Sequence, residues 1–487
     1  MSHMIFDFAT SAPKPHDLES AHQLIADLWI NGAKLTAKLT AQNEKLNINP
    51  TNSSMPPSTD VFGKHKKKVK LHKRKSVLKQ GAQVGHVGKG RKLLPNEEVD
   101  DTIICLPKTT CDCGGHIQAN TSRFKRHQVF ELPKIQPIVT EYQQVYGACT
   151  QCKTYHFGAL PTGTPKGMLG VRAISAVGVF TGDYHLSKRY TQLLFADFFN
   201  LSISVGTVSN AEATVSEALK APAEEAKEYI KKQPNLNADE TGHKQQGKKM
   251  WMWLAATALV AVFIIRGSRA SSVAKELLGE FFSGTLTTDR YSGYTWVDIA
   301  YRQFCWAHLI RDFIKISERS GEAGRIGDQQ LAYIKRMFRL WWKFRDGTLS
   351  RTQFIAAMVP LRRHMELLLE QGVHCGESKT ANTCKKLLKY KSALWTFVET
   401  ENVQPTNNFA EQLIRSYVLW RKSSFGTQSD RGDLFVERMM TVTSSCKLQK
   451  RNRYDYINSA VVAHLRNEPA PSLLPQEELT VPDKIAA

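Results

Sequence analysis

The longest apolar run of the chain, residues 250–265, sets the first limit on its fold. The run holds sixteen residues between Lys249 and Arg266, whereas a helix that crosses a bilayer needs about 20. It is rich in Val, Ile, Trp and Phe, which favours buried β-strands over a helix. We therefore predict two buried strands here, in a soluble protein without a membrane segment.

The residues around this run have the pattern of a mixed α+β sheet. Strands are predicted from Asn235 and over residues 248–257, 259–266, 284–288 and 302–306, with helices over 271–282 and after Tyr291. Three strands, a helix, a strand, a helix and a strand is the order of an RNase H-like fold, a mixed sheet with helices on its faces.

Two acidic residues fall where such a sheet brings them together. Asp239 lies on the first predicted strand and Asp289 at the end of the fourth, and these strands are neighbours in an RNase H-like sheet. Mg²⁺ prefers carboxylate oxygens, and two such ions about 4 Å apart activate one oxygen of a phosphodiester and stabilise the other. The pair therefore indicates phosphodiester chemistry if a third carboxylate completes the site.

Glu411, in the segment QPTNNFAEQLIR, is the best candidate for that third carboxylate. Thr406 or Asn407 can cap a helix there. This helix carries Asn408, Glu411 and Arg415 on one face. An amide and a guanidinium beside a carboxylate suit a site for a metal and a phosphate, while a surface helix with a Glu–Arg pair is the alternative.

Basic residues near these acids are candidates for contact with a nucleic-acid backbone. Arg421 and Lys422 extend the positive charge along the chain, and His308 opens a helix just after the fifth strand, where it can touch a phosphate near the metals. For His308, a cap or a packing residue is the alternative. In the helical stretch from residue 316 to 400 we expect Trp341 and Trp342 in the core and some arginines on DNA.

The charge balance points to a polyanionic partner. Lys and Arg total 66 against 45 Asp and Glu, a formal net charge of +21. Residues 61–94 hold twelve of these basic residues and no acid, so this block cannot form a core. We predict a salt-sensitive, sequence-independent phosphate clamp, whose main members are Lys66, Lys67, Lys68, Lys73, Arg74 and Lys75.

The cysteines favour a reduced protein with a zinc site. Nine cysteines and a start without a signal-peptide pattern fit the cytoplasm better than a secreted disulfide scaffold. Two close thiol pairs, CDCGGH and CTQC, can close a tetrahedral structural zinc site. The predicted ligands are Cys111, Cys113, Cys149 and Cys152, with Cys105, His116 or His127 as replacements for one of them.

Two further helical segments complete the N-terminal half. Residues 18–47 have heptad-like spacing of Ile and Leu, which predicts either a short dimerising coiled coil or an amphipathic helix packed on its own chain. Residues 168–220 are predicted to be helical. A turn over 202–206 before a helix near Thr207 is compatible with a helix-turn-helix or with a plain helical hairpin.

These residues together resemble the DDE transposases of the insertion sequence 66 family, specifically the large transposase subunit. The motifs are ADETG, TTDRYSGY, FCWAHLIRDF and PTNNFAEQLIRSYVLWRKSSFG, together with the CDCGG and CTQC pairs, and the resemblance runs to about Lys447. It implies an RNase H-like core with a catalytic triad at Asp239, Asp289 and Glu411. It also implies Mg²⁺ dependence and cut-and-join chemistry at terminal inverted repeats. The first cysteine pair departs from the family by a spacer of one residue instead of two.

The expected architecture is multidomain α+β, with an RNase H-like mixed-sheet core and a helical insertion, preceded by a small zinc-binding β domain and a helical DNA-binding region. The predicted divisions are an N-terminal helix (1–50), a linker and basic segment (51–99), a zinc-binding domain (100–160), a helix-turn-helix-like region (161–232), the first part of the core (233–316), the helical insertion (317–400), the Glu411 helix of the core (401–447) and a C-terminal helix and tail (448–487).

The expected cofactors are two Mg²⁺ ions, or Mn²⁺, and a structural Zn²⁺. The expected partners are element-end and target DNA, a second copy of the chain or more, and accessory proteins of the element, in the bacterial cytoplasm at the nucleoid. A non-catalytic zinc-containing DNA-binding regulator and an RNase H-like nuclease or resolvase are the alternatives. A membrane-associated polybasic protein is disfavoured because the basic block has no adjoining apolar anchor.

Overall fold

Residues 17–46 and 93–475 are described by the structure, a computed structural model. The predicted phosphate clamp, from Lys66 to Lys75, lies outside these ranges. The described residues form two units, one of 17–46, 140–195 and 202–475, the other of 93–139 and 196–201. Within the described part of the chain, no helix is long and apolar enough to span a bilayer.

The N-terminal half combines helices with a pair of short strands. Its elements are α1 (Leu18–Leu46), β1 (Tyr146–Ala148), β2 (Tyr155–Phe157), α2 (Val171–Gly178), α3 (Lys188–Phe199), α4 (Val205–Ala218) and α5 (Lys220–Ile230). The helix predicted near Thr207 begins at Val205, because the Ser204 hydroxyl caps it by accepting from the Thr207 N–H at 3.0 Å. Ile25, Leu28, Leu35 and Leu39 are exposed on α1, so the coiled coil stays a prediction.

The smaller unit is largely extended chain. The Leu94 carbonyl accepts hydrogen bonds from Arg126 at 2.7 Å and from Gln128 at 3.1 Å. Most of its large apolar side chains, such as Ile104 and Ile138, are exposed. Side-chain bonds to the backbone, rather than a buried core, therefore hold this segment.

The apolar run forms two strands of a five-stranded sheet, as its composition predicted. The elements are β3 (Asn235–Gln245), β4 (Lys248–Ala256), β5 (Ala261–Arg266), α6 (Ser271–Leu278), β6 (Thr285–Thr288) and β7 (Arg302–Phe304). The strand order is β5-β4-β3-β6-β7. β3 is antiparallel to β4 and parallel to β6, so the sheet is mixed. Both order and directions are consistent with an RNase H-like core.

A helical region follows β7 and has its own core. It comprises α7 (Trp306–Ser317), α8 (Gly321–Arg345), α9 (Arg351–His374), α10 (Ser378–Lys389) and α11 (Thr396–Glu399). Trp341 is buried in this core against Phe354 and Phe397, as expected. The core prediction for Trp342 is wrong: it is 50% exposed, since adjacent residues on a helix point about 100° apart.

The last helices return to the sheet. They are α12 (Asn408–Ser424), α13 (Asp430–Leu448) and α14 (Arg453–Arg466). α13 covers the edge strand β5. Its side chains accept hydrogen bonds from every second backbone N–H of that strand: Ser445 from Ala261, Thr441 from Phe263 and Glu437 from Ile265. Four helix residues rise about 6 Å and two strand residues about 6.6 Å. Because the two spacings match, side chains of α13 satisfy the backbone N–H groups of a strand edge that would otherwise be unpaired.

Candidate active site

The strand register places Asp239 beside Asp289. β3 and β6 pair in parallel, with Asn237 opposite Thr287. Two positions further along each strand come Asp239 and Asp289, and side chains two positions apart point to the same face of a sheet. The two carboxylates therefore leave the same end of neighbouring strands on one face.

Asp239 is half-buried and lies among other acids. Its Oδ1 accepts from the Glu240 N–H at 2.9 Å. Burial raises its pKa well above the usual range, and the negative charges of Glu240, Asp289 and Glu411 raise it further. The carboxyl of Asp239 is thus held where its negative charge is costly unless a cation joins it.

Asp289 is held by the turn that follows β6. Its Oδ1 accepts from the Tyr291 N–H at 2.8 Å. The buried Arg302 donates to the Thr288 hydroxyl at 3.1 Å and to the Asp289 carbonyl at 3.4 Å, and burial lowers the pKa of this guanidinium to about 10. Nothing in the sequence pattern marked Arg302 as part of this site.

Asn407 attaches the helix of Glu411 to the strand of Asp239. It occupies the N-cap position of α12, but its side chain makes no capping hydrogen bond, so the predicted capping role is wrong. Its amide instead donates to the Ala238 carbonyl at 2.8 Å and accepts from Asn237 at 2.9 Å. Its own N–H donates to the Cys305 sulfur at 3.1 Å. These bonds hold the first turn of α12 near β3, where the charge of Glu411 raises the pKa of Asp239.

His308 faces Glu411 across the site. Its Nδ1 lies 3.6 Å from Glu411 Oε1, and both atoms are buried without a hydrogen-bond partner. Burial lowers the pKa of His308, although the charge of Glu411 acts in the opposite direction. With Cys305 they form a group whose donor atoms all lie within 4.8 Å of one another, and among the described residues this is the one such group of three or more.

Two other acids, Glu240 and Asp183, already have hydrogen-bonded or ion-paired partners. Glu240 accepts from Arg269 and, at 2.7 Å, from the Tyr294 hydroxyl. Burial and the charge of Asp289 raise its pKa. Asp183 forms an ion pair with Arg453. Hydrogen-bonded partners of this kind favour structural roles for both acids.

Besides His308, the predicted DNA contacts that the structure describes lie along α12. Asn408, Arg415 and Lys422 are exposed on its outer side, with Glu411 on the same stripe. Arg421 is half-buried and donates to the Thr241 hydroxyl at 3.3 Å. Arg421 therefore ties α12 to β3, while the other three are free to meet a ligand.

The predicted zinc ligands lie on two tight turns, one in each unit. In the first turn the Cys111 N–H donates to the Gly115 carbonyl at 2.8 Å, and Gly114 has φ +86°, as a knuckle requires. In the second, which joins β1 to β2, the Cys149 N–H donates to the Thr154 carbonyl at 2.8 Å. Hydrogen bonds from Cys113 lower the pKa of the Cys111 thiol, and hydrogen bonds, chiefly from Thr154, lower that of Cys152 to about 7. Both turns favour thiolates, but the four-cysteine site stays a prediction.

A comparison with family models identifies the chain. The model described as Transposase IS66 family matches residues 166–433, more than half of the sequence, and includes Asp239, Asp289 and Glu411. The chain belongs to the IS66 transposase family. A second model, for a family of unknown function, matches residues 10–92.

Two similar proteins come from Sinorhizobium fredii (strain NBRC 101917 / NGR234). The uncharacterized protein y4qI is 26% identical over 252 residues, which cover 46% of this chain and 45% of y4qI. The uncharacterized protein y4hP is 22% identical over 395 residues, or 74% of this chain and 71% of y4hP. The chain thus matches less than half the length of y4qI, and neither relative adds a defined activity to the IS66 assignment.

Proposed function

We propose that the protein is a metal-dependent DNA transposase that cleaves and joins strands at the terminal inverted repeats of a bacterial insertion sequence. The observation that carries the proposal is that the strand register places Asp289 beside Asp239, while Glu411, from a distant helix, lies near enough for its charge to raise the pKa of Asp239. Burial is the largest cause of the raised pKa of Asp239, and repulsion from Glu240, Asp289 and Glu411 adds to it. Such repulsion is costly to folding, and a cation site is the function that explains why three acids are kept there.

The donor set fits Mg²⁺ or Mn²⁺. All three groups offer carboxylate oxygens, which hard divalent cations prefer, and Glu411 Oε1 is buried without a hydrogen-bond partner. Asp239, Asp289 and Glu411 would hold the cations. Bound there, the cations would activate the attacking oxygen and stabilise the leaving oxygen of a phosphodiester.

The protein's own groups would position the DNA. Arg415 and Lys422 continue outward from Glu411 on the exposed side of α12, where each can meet a backbone phosphate. His308, which burial keeps largely neutral at pH 7, can donate or accept a hydrogen bond at the reacting phosphate. The basic segment of residues 61–94 and a zinc site made by the cysteine turns would hold the element end, and α1 would pair two copies.

The test uses purified full-length protein and a labelled duplex that carries the inverted repeat flanking its coding sequence. With Mg²⁺ we expect nicked and then joined products, and Asp239→Asn should lower their rate at least 1,000-fold, about the size of a lost essential group. Glu280→Gln is the matched control, because Glu280 is an exposed acid outside the site.

Each alternative predicts a different outcome. Cleavage without joining would favour a nuclease or resolvase. Salt-sensitive DNA binding with neither nicking nor metal dependence would favour a regulator. Full activity in Asp239→Asn would remove that residue from the proposed site.

A further inference from the structure

Phe425, directly after the α12 helix, has an unusual environment for an aromatic residue. Its side chain is 81% exposed, and its φ of +59° is left-handed. This helix-ending position normally takes Gly, because a side chain there is strained. A bulky residue with a left-handed backbone is uncommon, and such strained positions often belong to functional sites.

The turn that carries Phe425 is held rigidly. The Phe425 N–H donates to the Arg421 carbonyl at 2.9 Å, and the Thr427 N–H donates to the Lys244 carbonyl at 3.0 Å. Gly426, between them, has φ +108°, and a Cβ on it would come within 2.1 Å of the Lys244 carbonyl oxygen. The surrounding chain therefore fixes the left-handed backbone and presents the ring to solvent.

Positive charge surrounds this ring, which argues for a polyanionic ligand. Lys422 lies one turn before it on α12. Lys244, Lys248 and Lys249 are exposed at the β3–β4 turn, beside which the Phe425 turn is bonded. Two acids of the next helix keep their charge but are held against β3: Asp430 accepts from Gln245 at 2.7 Å, and Asp433 accepts from His243 and Gln245.

The ring also lies on the path from the acids. α12 runs along β3 in the same direction, since Asn407 bonds to Ala238, Arg421 to Thr241 and Thr427 to Lys244. Fourteen helix residues separate Glu411 from Phe425, which is about 21 Å. One nucleotide advances about 3.4 Å along a strand, so the ring would meet a base about six nucleotides from the reacting phosphate.

We propose that Phe425 is a stacking platform for a nucleobase that has left the DNA helix near the element end. This inference rests on the proposed function, because it takes DNA as the substrate. Aromatic rings bind bases through their faces without reading sequence, and the adjacent lysines would hold the flanking phosphates.

The experiment measures binding of the full-length protein, in EDTA, to oligodeoxythymidine and to an abasic oligonucleotide of the same length. Phe425→Gly is the main variant, because Gly suits the left-handed backbone and should fold at least as well. We expect about ten-fold weaker binding to oligodeoxythymidine and unchanged binding to the abasic strand. Phe425→Trp should restore binding.

The control is Phe281→Ala, since Phe281 is a 93% exposed phenylalanine after α6 and should not affect either ligand. A 5-iodouracil base placed along the strand should also photocrosslink to Phe425. Equal weakening on both strands, or no weakening and no crosslink at Phe425, would overturn the inference. If the wild-type protein bound no DNA at all, the proposed function would fall as well, whereas binding kept in Phe425→Gly would remove the stacking platform alone.

Discussion

The side-chain amides of Asn237 and Asn407 are joined by a 2.9 Å hydrogen bond, although 170 residues separate them in the sequence. Asn237 lies on β3 two positions before Asp239, and Asn407 comes four positions before Glu411. The bond therefore connects the two parts of the chain that supply acids to the site.

Replacing Asn407 should loosen the attachment of the Glu411 helix to the strand that carries Asp239. Asn407→Ala removes two side-chain hydrogen bonds and leaves the Asn237 amide without its partner, which should cost about 1–3 kcal/mol of unfolding free energy. A displacement of Glu411 by about 1 Å should lower the cleavage rate about 100-fold. Denaturant unfolding and single-turnover cleavage measure the two effects.

Asn237→Ala is the control, because it keeps the Asn407 bond to the Ala238 carbonyl and should have a smaller effect on both. DNA affinity should stay unchanged in both variants. A cleavage rate near wild type in Asn407→Ala would show that the bond does not position Glu411.

Asp239→Asn should change the pH dependence of stability in the absence of divalent cations. The pKa of Asp239 is raised in the folded chain, so between the unfolded and folded pKa values the folded state holds the extra proton. The wild-type protein therefore loses stability as the pH rises through this window, while below about pH 4 the acid is protonated in both states. Asn does not ionise, so the variant should melt higher at pH 7, by about 2–4 °C per kcal/mol.

Thermal melts in EDTA and in Mg²⁺ test this prediction. Mg²⁺ should raise the melting temperature of the wild-type protein by binding the folded state and should have little effect on Asp239→Asn. A variant that is less stable than wild type at pH 7 in EDTA would contradict the proposed repulsion among the acids.

Thr441 should be essential for the sheet edge. Thr441→Val leaves the buried Phe263 N–H without an acceptor, which should cost about 1–3 kcal/mol and expose the edge to aggregation. Thr443→Val is the matched control, because the Thr443 hydroxyl donates to the Met439 carbonyl of its own helix; its cost should be about 1 kcal/mol or less. Urea unfolding compares them, and equal losses would argue against the edge contact.

The cysteines should fall into three classes on alkylation at pH 7.5. Burial raises the thiol pKa of Cys305, Cys384 and Cys446 to about 11, so they should react only after denaturation. If zinc is bound as proposed, the cysteines of the two turns should be protected until a chelator removes the metal, whereas the exposed Cys105 should react throughout. Mass spectrometry of the alkylated peptides distinguishes the classes, and reaction of the turn cysteines without a chelator would contradict the zinc site.

Much of the sheet could be predicted from the sequence because its signals are local. The apolar run, the strand lengths and the alternation along β3 follow from side-chain patterns within a few residues, and the five strands occur where those patterns indicated. Asp239 and Asp289 came from the same reasoning, since strand order alone makes them neighbours. Glu411 was predicted from the amide of Asn408 and the guanidinium of Arg415 on the same helix face, and from the family resemblance.

The contacts that complete the site were decided only by the tertiary structure. The roles of Asn407 and Arg302, the approach of His308 to Glu411 and the cover of β5 by α13 depend on residues that meet across long separations or in a particular orientation. Side-chain periodicity carries no information about such partners. The sequence by itself thus determined which strands form and which acids they carry, because these follow from short-range patterning. The packing of distant segments decided how the acids converge, because hydrogen bonds and burial between those segments exist only once the chain has folded.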